Sequence, residues 1–194
     1  MMHAKRIVLP QLDALLGQCD DSDQSNSSLQ CEIEKSAQQL LGELLRSSTT
    51  LAVAESLTGG RLADAFVCVP GASAVFLGSA VTYASAAKAR ILGVDAELLA
   101  SNGAVDPAVA VQMARGASRI FRSDFAIATT GVAGPGVAEG KPAGTVYVGV
   151  KTPVREMYWQ GQLTGDRSYV RNVTVLVGLR ALMAELQGNS KFSE

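Results

Sequence analysis

The stretch "TLAVAESLTGGRLADAFV", Thr50 to Val67, carries the reading of the fold. Leu51 to Ala54 has the length and composition of a short buried strand. Arg61 to Val69 has the pattern of a helix closed by Pro70-Gly71. Glu55, Ser56, Thr58, Gly59 and Gly60 lie at the junction. By pattern alone this junction has three readings. Ser56 and Thr58 cap the helix across a glycine turn; or the amides of Leu57 to Gly60 cradle an anion; or Ser56 is a nucleophile, which would need a base within reach.

Downstream, "SAVFLGSAVTYA" reads as an apolar strand and Ser85 to Ile91 as an alanine-rich helix. A short helix ends at Asn102-Gly103, and a longer one starts at Pro107 behind Asp106, a good cap. "DFAIATTGVAGPG" is a buried strand entering a glycine-rich loop. "AGTVYVGV" and "REMYWQGQL" form neighbouring strands joined at Thr152-Pro153, and a last helix runs from Asp166 to Leu186. Upstream, apolar residues at 33, 37, 40, 41, 44 and 45 predict a helix, with Ser27 or Ser28 as its cap. This order predicts an α/β domain: a three-layer α/β/α sandwich with a mixed β-sheet over residues 31–188. Residues 1–30, with the acidic, serine-rich Gln18–Gln30, read as a partly disordered extension in which Ile7–Leu16 can dock as a short helix. Residues 189–194 read as a flexible tail.

Composition removes several function classes. The chain is 47% hydrophobic, enough for a real core, and its net charge of -1 with no Lys/Arg stripe argues against nucleic acid or membrane as partner. Nineteen glycines and 5% aromatic residues point to close backbone packing and allow a close homodimer. Cys19, Cys31 and Cys68 lack metal-like spacing and cannot all pair, which fits a reducing cytoplasm. The single histidine is His3, so a Ser-His-Asp or Cys-His mechanism is nearly excluded, as is an imidazole metal site.

Covalent chemistry then needs another base. Lys88 sits among Ala84, Ala86, Ala87 and Ala89, where a desolvated ammonium loses its proton more readily, and Tyr83 is five residues before it. A solvated surface lysine beside a core tyrosine is the plainer reading. "TTGVAGPG", Thr129 to Gly136, is a second strand-to-loop junction able to face the same crevice as the first. It is not GxGxxG and no helix resumes after it, which disfavours a dinucleotide site. Arg167 and Arg171, one turn apart in "GDRSYVR", are either a phosphate grip or solvated charges.

Six ordered motifs together, "AESLTGG", "VPGASAVFLGSAVTYASAAKARILGV", "NGAVDPAVAVQMARGA", "ATTGVAGPG", "KPAGTVYVGV" and "GDRSYVRNVTV", closely resemble the CinA C-terminal domain family. That domain also occurs alone as nicotinamide-nucleotide amidase. The resemblance runs from Ile33 to Leu186 and implies the stand-alone form, without the nucleotide-binding domain of longer members. It implies an α/β/α fold and hydrolysis of nicotinamide mononucleotide to nicotinic acid mononucleotide and ammonia, with no metal or organic cofactor. It carries over Ser56 as nucleophile, Lys88 as base, and Tyr83 as the group that orients the lysine or passes the proton. Glu55, Thr58, Gly59 and Gly60 are implied to surround the substrate, with amides of Thr58 to Gly60 at the oxyanion. Thr130, Gly131, Gly134, Gly136 and Arg167 are implied for the rest of the nucleotide. Ser85 replaces the family's usual asparagine, Asn102 and Asp106 replace a histidine and a serine, and "VAEGKP" (137–142) is a shortened loop. Leu57 stands where a cysteine is frequent, which excludes a thiol there. These departures motivate a second reading, a catalytically silent paralogue that binds a pyridine nucleotide without turnover.

Overall fold

The computed structural model describes residues 4–8, 23–188 and 191–193. In chain order the elements are β1 (Lys5–Val8), α1 (Asp23–Arg46), β2 (Leu51–Glu55), α2 (Arg61–Val67), β3 (Phe76–Val81) and α3 (Ser85–Ala87), which runs into a π turn at Lys88–Leu92. They continue as α4 (Ala96–Asn102), α5 (Pro107–Phe121), β4 (Phe125–Gly131), β5 (Thr145–Lys151), β6 (Glu156–Gln162), α6 (Arg167–Leu186) and β7 (Lys191–Ser193).

The strands form one seven-stranded sheet in the order β3-β2-β4-β5-β6-β1-β7. β2 is parallel to β3 and β4, whereas β4, β5 and β6 are antiparallel neighbours. The sheet is therefore mixed, with helices on both faces, as the sequence predicts. Because side chains alternate along a strand, each strand feeds two cores. Leu51 and Val53 of β2, with Ile127 of β4, pack under α1, α2 and α6. Ala52, Ala54, Ala126 and Ala128 face the other way, onto Val109, Met113, Ala114 and Ala117 of α5. The alanine face brings α5 close to the sheet. A Cβ on Gly149 of β5 would lie 2.2 Å from the Ala110 carbonyl oxygen, so only glycine fits there. Ala52, Ala54, Ala126 and Ala128 on the sheet and Ala114 and Ala117 on α5 are spent on this contact.

Helix starts follow their sequence signals. The Asp106 side chain accepts from Ala108 N–H at 2.7 Å, and that of Asp166 from Tyr169 N–H at 2.7 Å. The chain ends differ from expectation. α1 starts at Asp23, so Ser27 and Ser28 lie inside the helix rather than capping it. Leu29 joins the same buried core as Ile33, and Glu32 pairs with Arg180 of α6 at 2.7 Å. These contacts extend a helix that local composition disfavours. Lys5–Val8 is a strand, parallel to β6, with Ile7 buried. Lys191–Ser193 pairs antiparallel with it instead of forming a free tail. Residues 9–22, which hold most of the expected docked segment Ile7–Leu16 and the start of the expected linker Gln18–Gln30, lie outside the described residues. Among the described residues no helix is long and apolar enough to cross a membrane.

Candidate active site

β2 ends at the centre of the parallel part of the sheet and delivers Glu55 and Ser56 to its C-terminal edge. Glu55 is fully buried, and its carboxylate accepts from the N–H groups of Gly60 (2.9 Å), Leu62 (3.1 Å) and Ala63 (2.9 Å). The N-cap of α2 is Gly60, in the left-handed region (φ 100°), which offers no side-chain acceptor. Glu55 takes over the cap and complements the helix dipole. Two expectations are corrected by this geometry. Glu55 faces the helix rather than the substrate pocket, and its carboxylate takes the Gly60 amide, which removes Gly60 from the anion cradle considered for Leu57 to Gly60. Thr58 is also turned inward, its hydroxyl 2.7 Å from that of Thr129 and fully buried.

Ser56 follows immediately. Its amide is fixed by Thr129 O at 3.0 Å, and its side chain reaches Lys88, whose Nζ lies 3.0 Å from Ser56 Oγ. Lys88 stands where α3 widens into the π turn, and its ammonium also donates to the carbonyls of Thr82 (2.8 Å) and Tyr83 (3.1 Å). Lys88 is 0% exposed while Ser56 keeps 8%, so the serine faces the opening and the lysine supports it from behind. Burial lowers the Lys88 pKa to about 8, although Glu139 pulls in the opposite direction. A lysine in this state yields a neutral amine within reach of neutral pH, beside a hydroxyl it can deprotonate.

The pair opens into a pocket of about 200 Å³ lined by Tyr83, Ser85, Val105, Gly131, Glu139 and Arg167, among others. Tyr83 differs from expectation: its carbonyl, not its hydroxyl, holds Lys88. The residue is 64% exposed, and Arg167 Nη2 donates to its hydroxyl at 3.2 Å. Arg167 also donates to Gly134 O at 2.6 Å, so it ties α6 to the loop after β4 across the pocket mouth. Thr130 lines the pocket, but its hydroxyl is engaged with Ala104 O at 2.6 Å. Gly131 is a wall, with no room for a Cβ, which would lie 2.5 Å from Thr145 O. Gly134 serves through its carbonyl. Gly136 is exposed and does not line the pocket.

Arg171 has a different task from the phosphate grip considered for it. Its guanidinium donates to Leu57 O at 2.8 Å and Thr58 O at 2.7 Å. In a trans peptide the N–H points opposite to the carbonyl. Holding these two carbonyls therefore turns the amides of Thr58 and Gly59 away from Arg171. Among the described residues the N–H groups of Leu57, Thr58 and Gly59 have no hydrogen-bond acceptor, whereas that of Gly60 is taken by Glu55. Gly59 has φ 58°, and a Cβ there would stand 3.0 Å from Arg171 Nη2. The sequence reading missed Arg171 as an anchor and Glu139 as a pocket residue. Only the one-turn spacing of Arg171 from Arg167 hinted at either. Among the described residues no group of three or more His, Cys, Asp or Glu is placed to hold a metal ion.

The mixed-sheet sandwich with a buried serine–lysine pair at the C-terminal end of its parallel strands defines the class: an α/β/α domain with a serine–lysine pocket. Residues 33–186 match the model of the CinA C-terminal domain, and the chain belongs to that family. A CinA-like protein from Frankia casuarinae is 45% identical over 149 residues, 77% of this chain and 34% of the relative. A CinA-like protein from Geobacter metallireducens is 46% identical over 138 residues, 71% of this chain and 33% of the relative. The chain thus spans about a third of the length of these curated relatives. Among solved structures, a CinA superfamily protein from Klebsiella pneumoniae superposes with TM-score 0.78 at 32% identity, covering 80% of this chain and 98% of that one. A competence/damage inducible protein from Agrobacterium tumefaciens gives TM-score 0.76 at 37% identity, with 80% and 96% covered.

Proposed function

We propose that this domain is an amidohydrolase that converts nicotinamide mononucleotide to nicotinic acid mononucleotide and ammonia. The observation that carries the reading is the buried contact of 3.0 Å between Lys88 Nζ and Ser56 Oγ, at the floor of an open pocket. Neutral Lys88 takes the hydroxyl proton as Ser56 Oγ attacks the carboxamide carbon. The tetrahedral oxyanion is met by free amides of the Leu57–Gly59 turn. Collapse breaks the C–N bond, and the Lys88 ammonium returns its proton to the leaving nitrogen, which departs as ammonia. Water then attacks the Ser56 ester and gives a proton to Lys88; the bond from the acyl carbon to Ser56 Oγ breaks, Oγ takes that proton back from Lys88, and the acid is released. Arg167 with the Tyr83 hydroxyl is the candidate grip for the nucleotide phosphate. The substrate is a small nucleotide, and neither a nucleic acid, a membrane nor a cofactor is part of this reading. The exposed thiols of Cys31 and Cys68 suit the reducing cytoplasm. A homodimer is compatible with it.

The test is ammonia release from the nucleotide by purified protein, against Ser56→Ala. Release by wild type and none by the variant is expected. No release by wild type above a boiled control sinks the amidase reading. Retained nucleotide binding in that case would favour the catalytically silent paralogue.

A further inference from the structure

Among the described residues lining the pocket, Glu139 is the only carboxylate. It sits in a small clasp between β4 and β5, closed by Ala138 N–H to Lys141 O at 3.0 Å and Lys141 N–H to Ala138 O at 2.9 Å. The backbone of Glu139 is in the left-handed region, φ 52°, a conformation that non-glycine side chains adopt infrequently. Its carboxylate is positioned from two sides. Oε2 accepts from Val105 N–H at 3.0 Å and lies against the bare Cα of Gly103, where a Cβ would stand only 2.3 Å away. Glu139 is exposed, yet its carboxylate reaches over the α4–α5 connection to Val105 N–H and lines the pocket that holds Ser56 and Lys88.

The pocket therefore has two poles. The cations lining it are Lys88 on the π turn and Arg167 on α6, and the Arg167 guanidinium meets the Tyr83 hydroxyl. Glu139 on the β4–β5 loop supplies the single negative charge. An N-ribosylated nicotinamide is itself bipolar, with a fixed positive charge on the pyridinium ring and a negative phosphate. Such a ring placed for attack by Ser56 comes close to Lys88, a like charge whenever the lysine is protonated. A carboxylate in the same pocket offsets that repulsion and rewards the cationic ring.

We propose that Glu139 is a specificity-determining residue that selects substrates whose ring carries a positive charge. The assignment rests on the amidase reading for the identity of the ligand. It goes beyond that reading by making the ring charge, rather than the carboxamide alone, a recognition element.

The probes are nicotinamide mononucleotide and its reduced dihydropyridine form, which share phosphate, ribose and carboxamide and differ by the ring charge. Dissociation constants are measured by calorimetry for wild type, Glu139→Gln and Glu139→Asp. Glutamine keeps an acceptor for Val105 N–H and removes only the charge. Wild type should prefer the oxidised form, and Glu139→Gln should lose about three- to five-fold of that preference, as expected for a partly exposed charge pair. Glu139→Asp should retain most of it. An unchanged preference in Glu139→Gln, or an equal loss in Glu139→Asp, overturns the assignment. If wild type releases no ammonia, the amidase reading fails, yet the binding ratios still decide the role of Glu139. Failure of wild type to bind either nucleotide refutes both.

Discussion

The titration of Lys88 can be read in two independent ways. With a pKa of about 8, about a tenth of the lysine is neutral at pH 7 and about nine tenths at pH 9. If neutral Lys88 is the base, kcat/KM for ammonia release rises about tenfold across those two units and then levels. A lysine near its ordinary value of about 10.4 would instead drive a continued climb of about tenfold per unit through pH 9. The same shift acts on folding. Below about pH 8 the lysine is protonated in both states and contributes no slope. Above it the folded protein has lost a proton that the unfolded chain keeps, so stability rises with pH. Relative to Lys88→Met, wild type should gain about 2 kcal/mol between pH 7 and pH 9.5, most of it above pH 8. Urea unfolding of both proteins at the two pH values measures this difference without any assumption about substrate. An equal pH response in the two proteins, with kcat/KM still climbing tenfold per unit at pH 9, would refute the depressed lysine. Lys88→Arg should not restore activity, because a guanidinium stays protonated.

Glu55→Ala leaves three amides at the start of α2 without their acceptor and should cost about 2–4 kcal/mol in urea unfolding; a loss under roughly 0.5 kcal/mol would contradict the capping role. Gly149→Ala drives a methyl against the Ala110 carbonyl, a contact of backbone with backbone that cannot swing aside. It should lower stability by about 1–3 kcal/mol or more, and a neutral melting temperature would show that α5 can retreat. Tyr83→Phe keeps the backbone carbonyl that holds Lys88 and removes only the hydroxyl near Arg167. It should raise KM several-fold with kcat within about threefold of wild type, and a loss of kcat by orders of magnitude would return the phenol to proton transfer.

Much of the fold was legible because its signals are local. Apolar runs of strand length, the caps Asp106 and Asp166, and the sequence "AESLTGG" each bias the chain within a few residues. They fixed the α/β alternation, the mixed sheet and the candidates Ser56 and Lys88. The ends of the chain were read differently from how they fold. Asp23–Gln30 becomes helical because Leu29 and Glu32 find partners across space, and Lys5–Val8 becomes a strand by pairing with β6. Nothing within a short window carries that information.

The chain's own sequence determined the chemistry available: one histidine, in the N-terminal stretch, a serine after a buried strand, and a lysine in an alanine setting. Tertiary structure decided how that chemistry is divided. Glu55 was a carboxylate beside a candidate nucleophile, and folding spends it on the start of α2. Arg171 was one of two neighbouring cations, and folding spends it on the Leu57–Thr58 carbonyls. Tyr83 holds Lys88 by its backbone while its ring turns outward, and Glu139 enters the pocket from 51 residues beyond Lys88. Residue type sets what a group is able to do. Which neighbour takes its hydrogen bonds, and whether water reaches it, depends on segments that meet only when the sheet and its two helical layers close.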